Sequence, residues 1–309
     1  MRRWLIGLSL VLVAGALGFV FGFVPYYLAG FFTVRTYQMA DKENEGLTPA
    51  TFDLPFEDVS FRAKDGVGLS GWWVPAAEAK GTVVLVHGLN RSRIEMVRKT
   101  PFLHRLGWNA LLFDLRRHGK CGGTLRSLGF HERDDGLGAA DFADHHGPDP
   151  VVAWGVSFGA AASVLAAAEE PRIAAVVCDS SYRSLRDTAR HHLALFRRFA
   201  WWLRIVPVWP TADEAVFWMG RRGGFDPDAL DMVAAARRLD GRPALFVASS
   251  GDERMPPDIA FDLKAAAGPR ARVLAVPSQG HGHAYRDATA PYEKAVADLL
   301  EEVARKEPR

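Results

Sequence analysis

Six short apolar runs punctuate the chain: "GTVVLVHG", "NALLFDL", "VVAWGVS", "IAAVVCDS", "ALFVASS" and "RVLAVP". Each is apolar continuously rather than alternately, the pattern of a strand buried on both faces. Segments of helical length separate most of them, at about Arg91 to Leu106, Glu132 to His146, Phe158 to Glu169 and Pro257 to Ala267. Strand and helix in alternation predict an α/β fold, a mostly parallel, doubly wound sheet with helices on both faces. Ahead of them, "FEDVSFRAKDGVGLSGWWVP" reads as an opening antiparallel hairpin around an Asp65-Gly66 turn. "RDATAPYEKAVADLLEEVARK" closes the pattern as an amphipathic helix.

One stretch interrupts the alternation. Residues 181–239 lie between two predicted core strands and are rich in Trp, Phe and Arg, as in "HHLALFRRFAWWLRIVPVWPTADEAVFWMGRRGG". This reads as a mostly helical lid inserted over one edge of the sheet. Most of its aromatics are expected to pack on the core, leaving the remainder to line a site.

The N-terminus carries a different signal. "WLIGLSLVLVAGALGFVFGFV", Trp4 to Val24, has no charge and is long enough for a bilayer, which needs about 20 apolar residues. Arg2 and Arg3 precede it, so the positive-inside rule keeps the N-terminus cytoplasmic and puts the rest on the extracytoplasmic side. Tyr26 and Tyr27 suit the far interface. A cleaved signal peptide is the rival reading, but its apolar region would be unusually long and no clear A-x-A site follows. The expected organisation is a membrane anchor at 1–32, a polar tether at 33–55 and one domain at 56–309 with the lid at about 181–239.

A chain of 309 residues has ample material for one large core. Its net charge of +2 gives no argument for a nucleic-acid partner. Two cysteines, Cys121 and Cys178, make neither a disulfide scaffold nor a zinc array. "DFADHHGPD" gathers Asp144, His145 and His146, but where a helix should end, so it reads as surface loop rather than metal site.

The stretch "VVAWGVSFGAAAS" joins a strand to a helix through Gly155-x-Ser157-x-Gly159. That pattern is a nucleophile elbow: a strained turn that lifts a serine hydroxyl above the sheet, with small residues where bulk would clash. Alone it is a weak signal; the apolar strand before it and the helix after it are the context it requires. A serine needs a base, and the base needs an orienting acid. "ALFVASSGDERMPP" supplies Asp252 just past one later strand, and "RVLAVPSQGHGHAY" supplies His281 and His283 just past the next. Both histidines are candidates for the base. Asp179, which also follows a strand, is a reserve candidate for the acid. The oxyanion of a tetrahedral intermediate needs two convergent N–H donors, for which Phe158, directly after the serine, and Leu89, after "VVLVHG", are the candidates. His87 and Asn90 read as supports of that loop.

With "LVHGLNRSR", "LLFDLRRHGKCGGT", "GVSFGAAAS", "SGDERMP" and "GHGHAYRDATAPYEKAV" in this order, the chain resembles the α/β-hydrolase superfamily. Within it, the chain is most similar to membrane-anchored or secreted bacterial serine hydrolases of the serine-aminopeptidase-like groups. The resemblance covers roughly residues 56–303 and implies an α/β-hydrolase fold. It also implies nucleophile Ser157, acid Asp252 and base His281, the histidine four residues before Tyr285. It implies no metal and no cofactor. Cys121 stands where such relatives carry a serine or another small residue. The expected activity is cleavage of a carboxylic ester or related acyl bond in a small-molecule acyl substrate, apolar and lipid-derived. Peptidase and thioesterase activity, or a catalytically silent binding module, are the alternatives.

Overall fold

The computed structural model describes residues 2–34 and 41–305. Eight strands form one sheet: β1 (Glu57–Arg62), β2 (Gly68–Val74), β3 (Thr82–Val86), β4 (Asn109–Phe113), β5 (Val151–Val156), β6 (Ile173–Asp179), β7 (Ala244–Ser249) and β8 (Ala271–Val276). Their order is β1-β2-β4-β3-β5-β6-β7-β8. The hairpin β1–β2 and the pair β2–β4 are antiparallel, and every pairing from β4 to β8 is parallel. This is the α/β-hydrolase fold, and the carboxyl ends of its parallel strands share one edge.

Eleven α-helices accompany the sheet among the described residues. Two are N-terminal, α1 (Arg2–Gly18) and α2 (Val24–Thr33), joined through a π-helical turn at Phe19–Phe23. The rest are α3 (Thr100–Arg105), α4 (Glu132–His146), α5 (Phe158–Glu169), α6 (Leu185–Phe199), α7 (Val208–Gly223), α8 (Met232–Arg237), α9 (Asp258–Ala267), α10 (Ala284–Asp287) and α11 (Thr289–Ala304). The expected helix from Arg91 begins instead as a 3-10 turn, Arg93–Lys99, before α3.

The strands are buried on both faces, as their unbroken apolar runs require. On β3, Val84 and Val86 join the core beneath α4, α5, α8 and α9, whereas Val83 and Leu85 join the core beneath α3 and α11. That two-residue alternation is the strand period. Trp154 of β5 is fully buried in the second core, where its indole N–H donates to the Tyr292 hydroxyl at 3.1 Å. Truncating such a side chain to alanine costs about 3–5 kcal/mol.

Two boundaries differ from the sequence expectation. Residues 35–40 of the expected tether lie outside the described residues, but Leu47, Phe52 and Leu54 pack on the core beneath α3 and α11, so that end of the segment is part of the folded body. Within 181–239, Met232, Ala235 and Ala236 of α8 are buried in the main core, making α8 the crossover helix between β6 and β7. The segment inserted before it is α6 and α7 with the turn between them, and α7 also sends Ala215, Val216 and Met219 into the main core.

Candidate active site

β5 ends at Val156, and the chain reverses into α5 through Ser157, held at φ 55° and ψ −116°. A side chain with a Cβ rarely adopts positive φ, and such strain persists only where the surroundings enforce it. Here they do. The Ser157 N–H donates to the Asp179 carbonyl at the end of β6, at 2.7 Å. A Cβ on Gly155 would overlap the carbonyl of Gly159, and one on Gly159 would overlap the carbonyls of Val86 and His87. The flanking glycines are thus required by close backbone approach, the first to α5 and the second to the end of β3.

The loops after β7 and β8 bring the other predicted residues to the serine. His281 Nε2 lies 2.7 Å from Ser157 Oγ, and His281 Nδ1 lies 2.7 Å from Asp252 Oδ2. The chain separations are 124 and 29 residues, so only the sheet brings these groups together. With Nδ1–H donating to the carboxylate, Nε2 is the acceptor for the serine hydroxyl. Asp252 is buried, and its Oδ1 accepts the N–H groups of Arg254 and Met255 at 2.9 and 3.0 Å. Burial pushes this carboxyl up, but the hydrogen bond and charge of His281 and the two backbone donors outweigh it and hold it below its ordinary range.

The competing candidates are occupied elsewhere. His283 Nδ1 accepts from Arg286 at 2.9 Å and does not meet Ser157. Asp179 accepts from the Ser180 and Tyr292 hydroxyls at 2.8 and 3.0 Å, and burial pushes its carboxyl up. Its role in the geometry is its carbonyl, which pins the elbow. His145 and His146 turn Nδ1 to the carbonyls of Asp141 and Phe142, and Asp144 pairs with Arg172, so that cluster is not assembled around a cation.

Phe158 is the first residue of α5, where a helix leaves N–H groups without intrahelical partners. Leu89 lies half-buried in the turn after β3. That turn is held from several directions. Gly88 N–H donates to Glu95 Oε2 at 2.6 Å, and Asn90, at φ 62°, donates its N–H to His118 Nε2 at 3.1 Å. The His118 ring packs against Phe158 with centroids 5.9 Å apart, so one buried imidazole touches both candidate donor segments. Its Nδ1–H donates to the Arg116 carbonyl at 2.9 Å, and burial lowers its pKa to about 3. His87 is likewise structural: buried, it accepts the Leu115 N–H at Nε2 and donates from Nδ1 to the Gly88 carbonyl. Cys121 also has a place. It accepts the Ser70 N–H at 3.0 Å and donates to the Asp114 carbonyl at 2.8 Å, and burial pushes its thiol up to about 12.

Sequence reasoning missed Glu95 and Arg126. The Arg126 guanidinium donates to Asn90 Oδ1 and, at 3.2 Å, to the Phe31 carbonyl, while its N–H donates to the Thr33 carbonyl at 3.0 Å. One side chain thereby ties the turn after β3 to the end of α2. No local pattern marks either residue, because both act through contacts distant in sequence.

Residues 77–219 match the family model for serine aminopeptidases of family S33. The uncharacterized protein YqkD of Bacillus subtilis is 26% identical over 243 residues, 76% of each chain. The uncharacterized protein YfhR of Salmonella typhimurium is 30% identical over 186 residues, 54% of this chain and 61% of that one. Among solved structures, an esterase of Pyrococcus furiosus superposes with a TM-score of 0.71 at 21% identity, covering 88% of this chain and 98% of its own. The α/β hydrolase GrgF of a Penicillium species gives 0.63 at 18% identity, over 81% and 99%. At these identities the structural likeness is one of fold. The family match opens just before β3 and runs past the elbow, on a sheet whose strand order is that of the α/β-hydrolase fold.

Proposed function

We propose that the protein is a serine hydrolase that cleaves a carboxylic ester through an acyl-enzyme on Ser157. One observation carries the reading: an unbroken relay of two 2.7 Å contacts from Asp252 through His281 to a serine on a strained elbow. In this reading His281 takes the Ser157 proton as Oγ attacks the substrate carbonyl. The carbonyl π-electrons move to oxygen, and the N–H groups of Leu89 and Phe158 receive that charge. His281 then returns the proton to the leaving alcohol, and water repeats the sequence to release the acid. Asp252, kept ionised, orients the imidazole and stabilises its cation.

The family match keeps peptide bonds as a second reading, because its description is that of an aminopeptidase. The ester reading is preferred because an esterase superposes over 88% of this chain, and an apolar acyl group is the proposed substrate. The N-terminal helix serves as a retained anchor with the hydrolase domain on the extracytoplasmic side. Its C-terminal part supports retention: Ala29, Gly30 and Thr33 are buried against the folded body, and cleavage after the apolar span would uncover that surface.

Purified protein assayed with p-nitrophenyl esters of increasing chain length, aminoacyl anilides and acyl-CoAs separates the readings. Ester turnover lost in Ser157→Ala supports the proposal. Anilide or thioester turnover without ester turnover replaces it with the peptidase or thioesterase reading. No turnover of any class, in a folded protein, leaves the silent binding module.

A further inference from the structure

The turn from α6 to α7 is apolar, and much of it faces outward. Phe199, Trp201, Ile205 and Trp209 are 76%, 78%, 78% and 70% exposed, and Phe196 is 45% exposed. Single exposed apolar residues need no explanation, but a run of large ones at one corner marks an interaction surface. Beneath it, Leu193, Val206 and Ala212 form a small separate core, and Val20 of the N-terminal helix packs into it. The contact continues along α2. Tyr26 meets Trp218 edge-on at 5.3 Å, and the Arg222 guanidinium sits 4.3 Å over the Tyr26 ring.

Helix rise then sets the corner's depth. The uninterrupted helix Arg3–Thr33 is long and apolar enough to cross a membrane. From Trp4 to Val24 it spans about 30 Å at 1.5 Å per residue, which matches the hydrocarbon thickness of a bilayer. Val20 lies about 6 Å inside that span. A body that packs on Val20 is therefore brought down to the headgroup level, with its exposed rings beside the helix. The charges agree. Between Phe196 and Pro210 the charged residues are Arg197, Arg198 and Arg204, with no carboxylate among them. Arg and Trp are the side chains that suit an anionic interface, where apolar stems and rings sink while the cations stay with headgroups.

We propose that the α6–α7 corner is a membrane-docking face, seated in the anionic headgroup layer of the bilayer that the N-terminal helix crosses. The lid is then a second point of membrane attachment. This goes beyond the catalytic reading and does not depend on it; it depends on the helix crossing a bilayer, which is measured separately.

Full-length protein carrying Phe199→Cys, Ile205→Cys or, as a distant control on α11, Lys294→Cys is labelled with an environment-sensitive nitrobenzoxadiazole dye. The parent chain labelled in parallel gives the background from Cys121 and Cys178. Each protein is reconstituted into phosphatidylcholine–phosphatidylglycerol vesicles with and without brominated lipid, and unchanged thermal melts confirm folding. The proposal expects blue-shifted emission at 199 and 205 that brominated lipid quenches, against unshifted, unquenched emission at 294. Emission at 199 and 205 indistinguishable from 294 overturns it. A blue shift that brominated lipid does not quench, with cross-linking between copies, also overturns it and assigns the corner to a protein interface. Failure of the full chain to float with the vesicles removes its premise, while ester turnover in the same preparation reports the catalytic reading independently.

Discussion

The elbow and the lid corner are built on opposite principles. At the elbow every backbone choice is enforced from several sides. Ser157 is held by the Asp179 carbonyl, Gly155 and Gly159 sit against backbone that leaves no space for a Cβ, and Asp252 of the relay is buried. At the corner, large apolar rings point outward over a core of three buried side chains, steadied by a helix from the far N-terminus. The contrast teaches that chemistry which tolerates little misplacement is set into close-packed, hydrogen-bonded surroundings. A surface whose partner is a fluid phase needs only composition and placement.

The largest way to break the contrast is to disarm the relay without disturbing its packing. Asp252→Asn keeps the volume but lets the imidazole adopt the wrong tautomer, and kcat is expected to fall by about 10⁴-fold. Unchanged circular dichroism with that loss is the supporting result, and a loss below tenfold would mean another group orients His281. Next comes the elbow's steric frame. Gly159→Ala places a Cβ against the Val86 and His87 carbonyls, and a destabilisation of several kcal/mol is expected, read as the denaturant midpoint. An unaffected midpoint would show that β3 and α5 are not in close contact.

Much of the relay was legible in the sequence because its determinants are local. Gly155-x-Ser157-x-Gly159 encodes its own sterics, and Asp252 and His281 each directly follow an apolar run that could only be a buried strand. Choosing His281 over His283 needed the family resemblance, since two imidazoles two residues apart carry no distinguishing local signal. The structure separates them because Arg286 engages His283. The lid's aromatic excess announced an insertion, but not which rings face outward, nor that α8 belongs to the main layer. Arg126 and Glu95 were invisible for the same reason: each has meaning only through partners brought near by the fold.

Arg126 joins the two regions, since it bonds both Asn90 and the end of α2. As a positioning residue its removal should lower kcat by roughly tenfold with little change in KM, because a small misplacement of the turn after β3 weakens oxyanion stabilisation. Arg126→Met assayed on one soluble ester checks this, and equal changes in kcat and KM, or none, would argue against the tie.

A smaller effect concerns pH. Folded His118 stays neutral, its pKa lowered by burial to about 3 from an ordinary 6.5. Between those values the unfolded chain binds more protons than the folded one, so stability falls as pH drops through that window. Melting temperatures from pH 7 to pH 4 should decline in the parent and decline less steeply in His118→Phe. Parallel slopes would mean that His118 gains its proton without unfolding. The smallest expected effect is at the anchor–lid contact, where Tyr26→Ala removes one edge-on ring pair and one cation–π contact, together worth about 1–2 kcal/mol. Limited proteolysis within α6–α7 should accelerate while the elbow's protection is unchanged. Equal loss at both would show that the two regions unfold as one.

The most direct measurement is the intact mass of the folded protein after exposure to a fluorophosphonate, followed by peptide mapping. One adduct on the peptide containing Ser157, absent in Ser157→Ala, is the result the relay geometry predicts. An adduct that survives Ser157→Ala, or a folded parent chain that takes none, would contradict it.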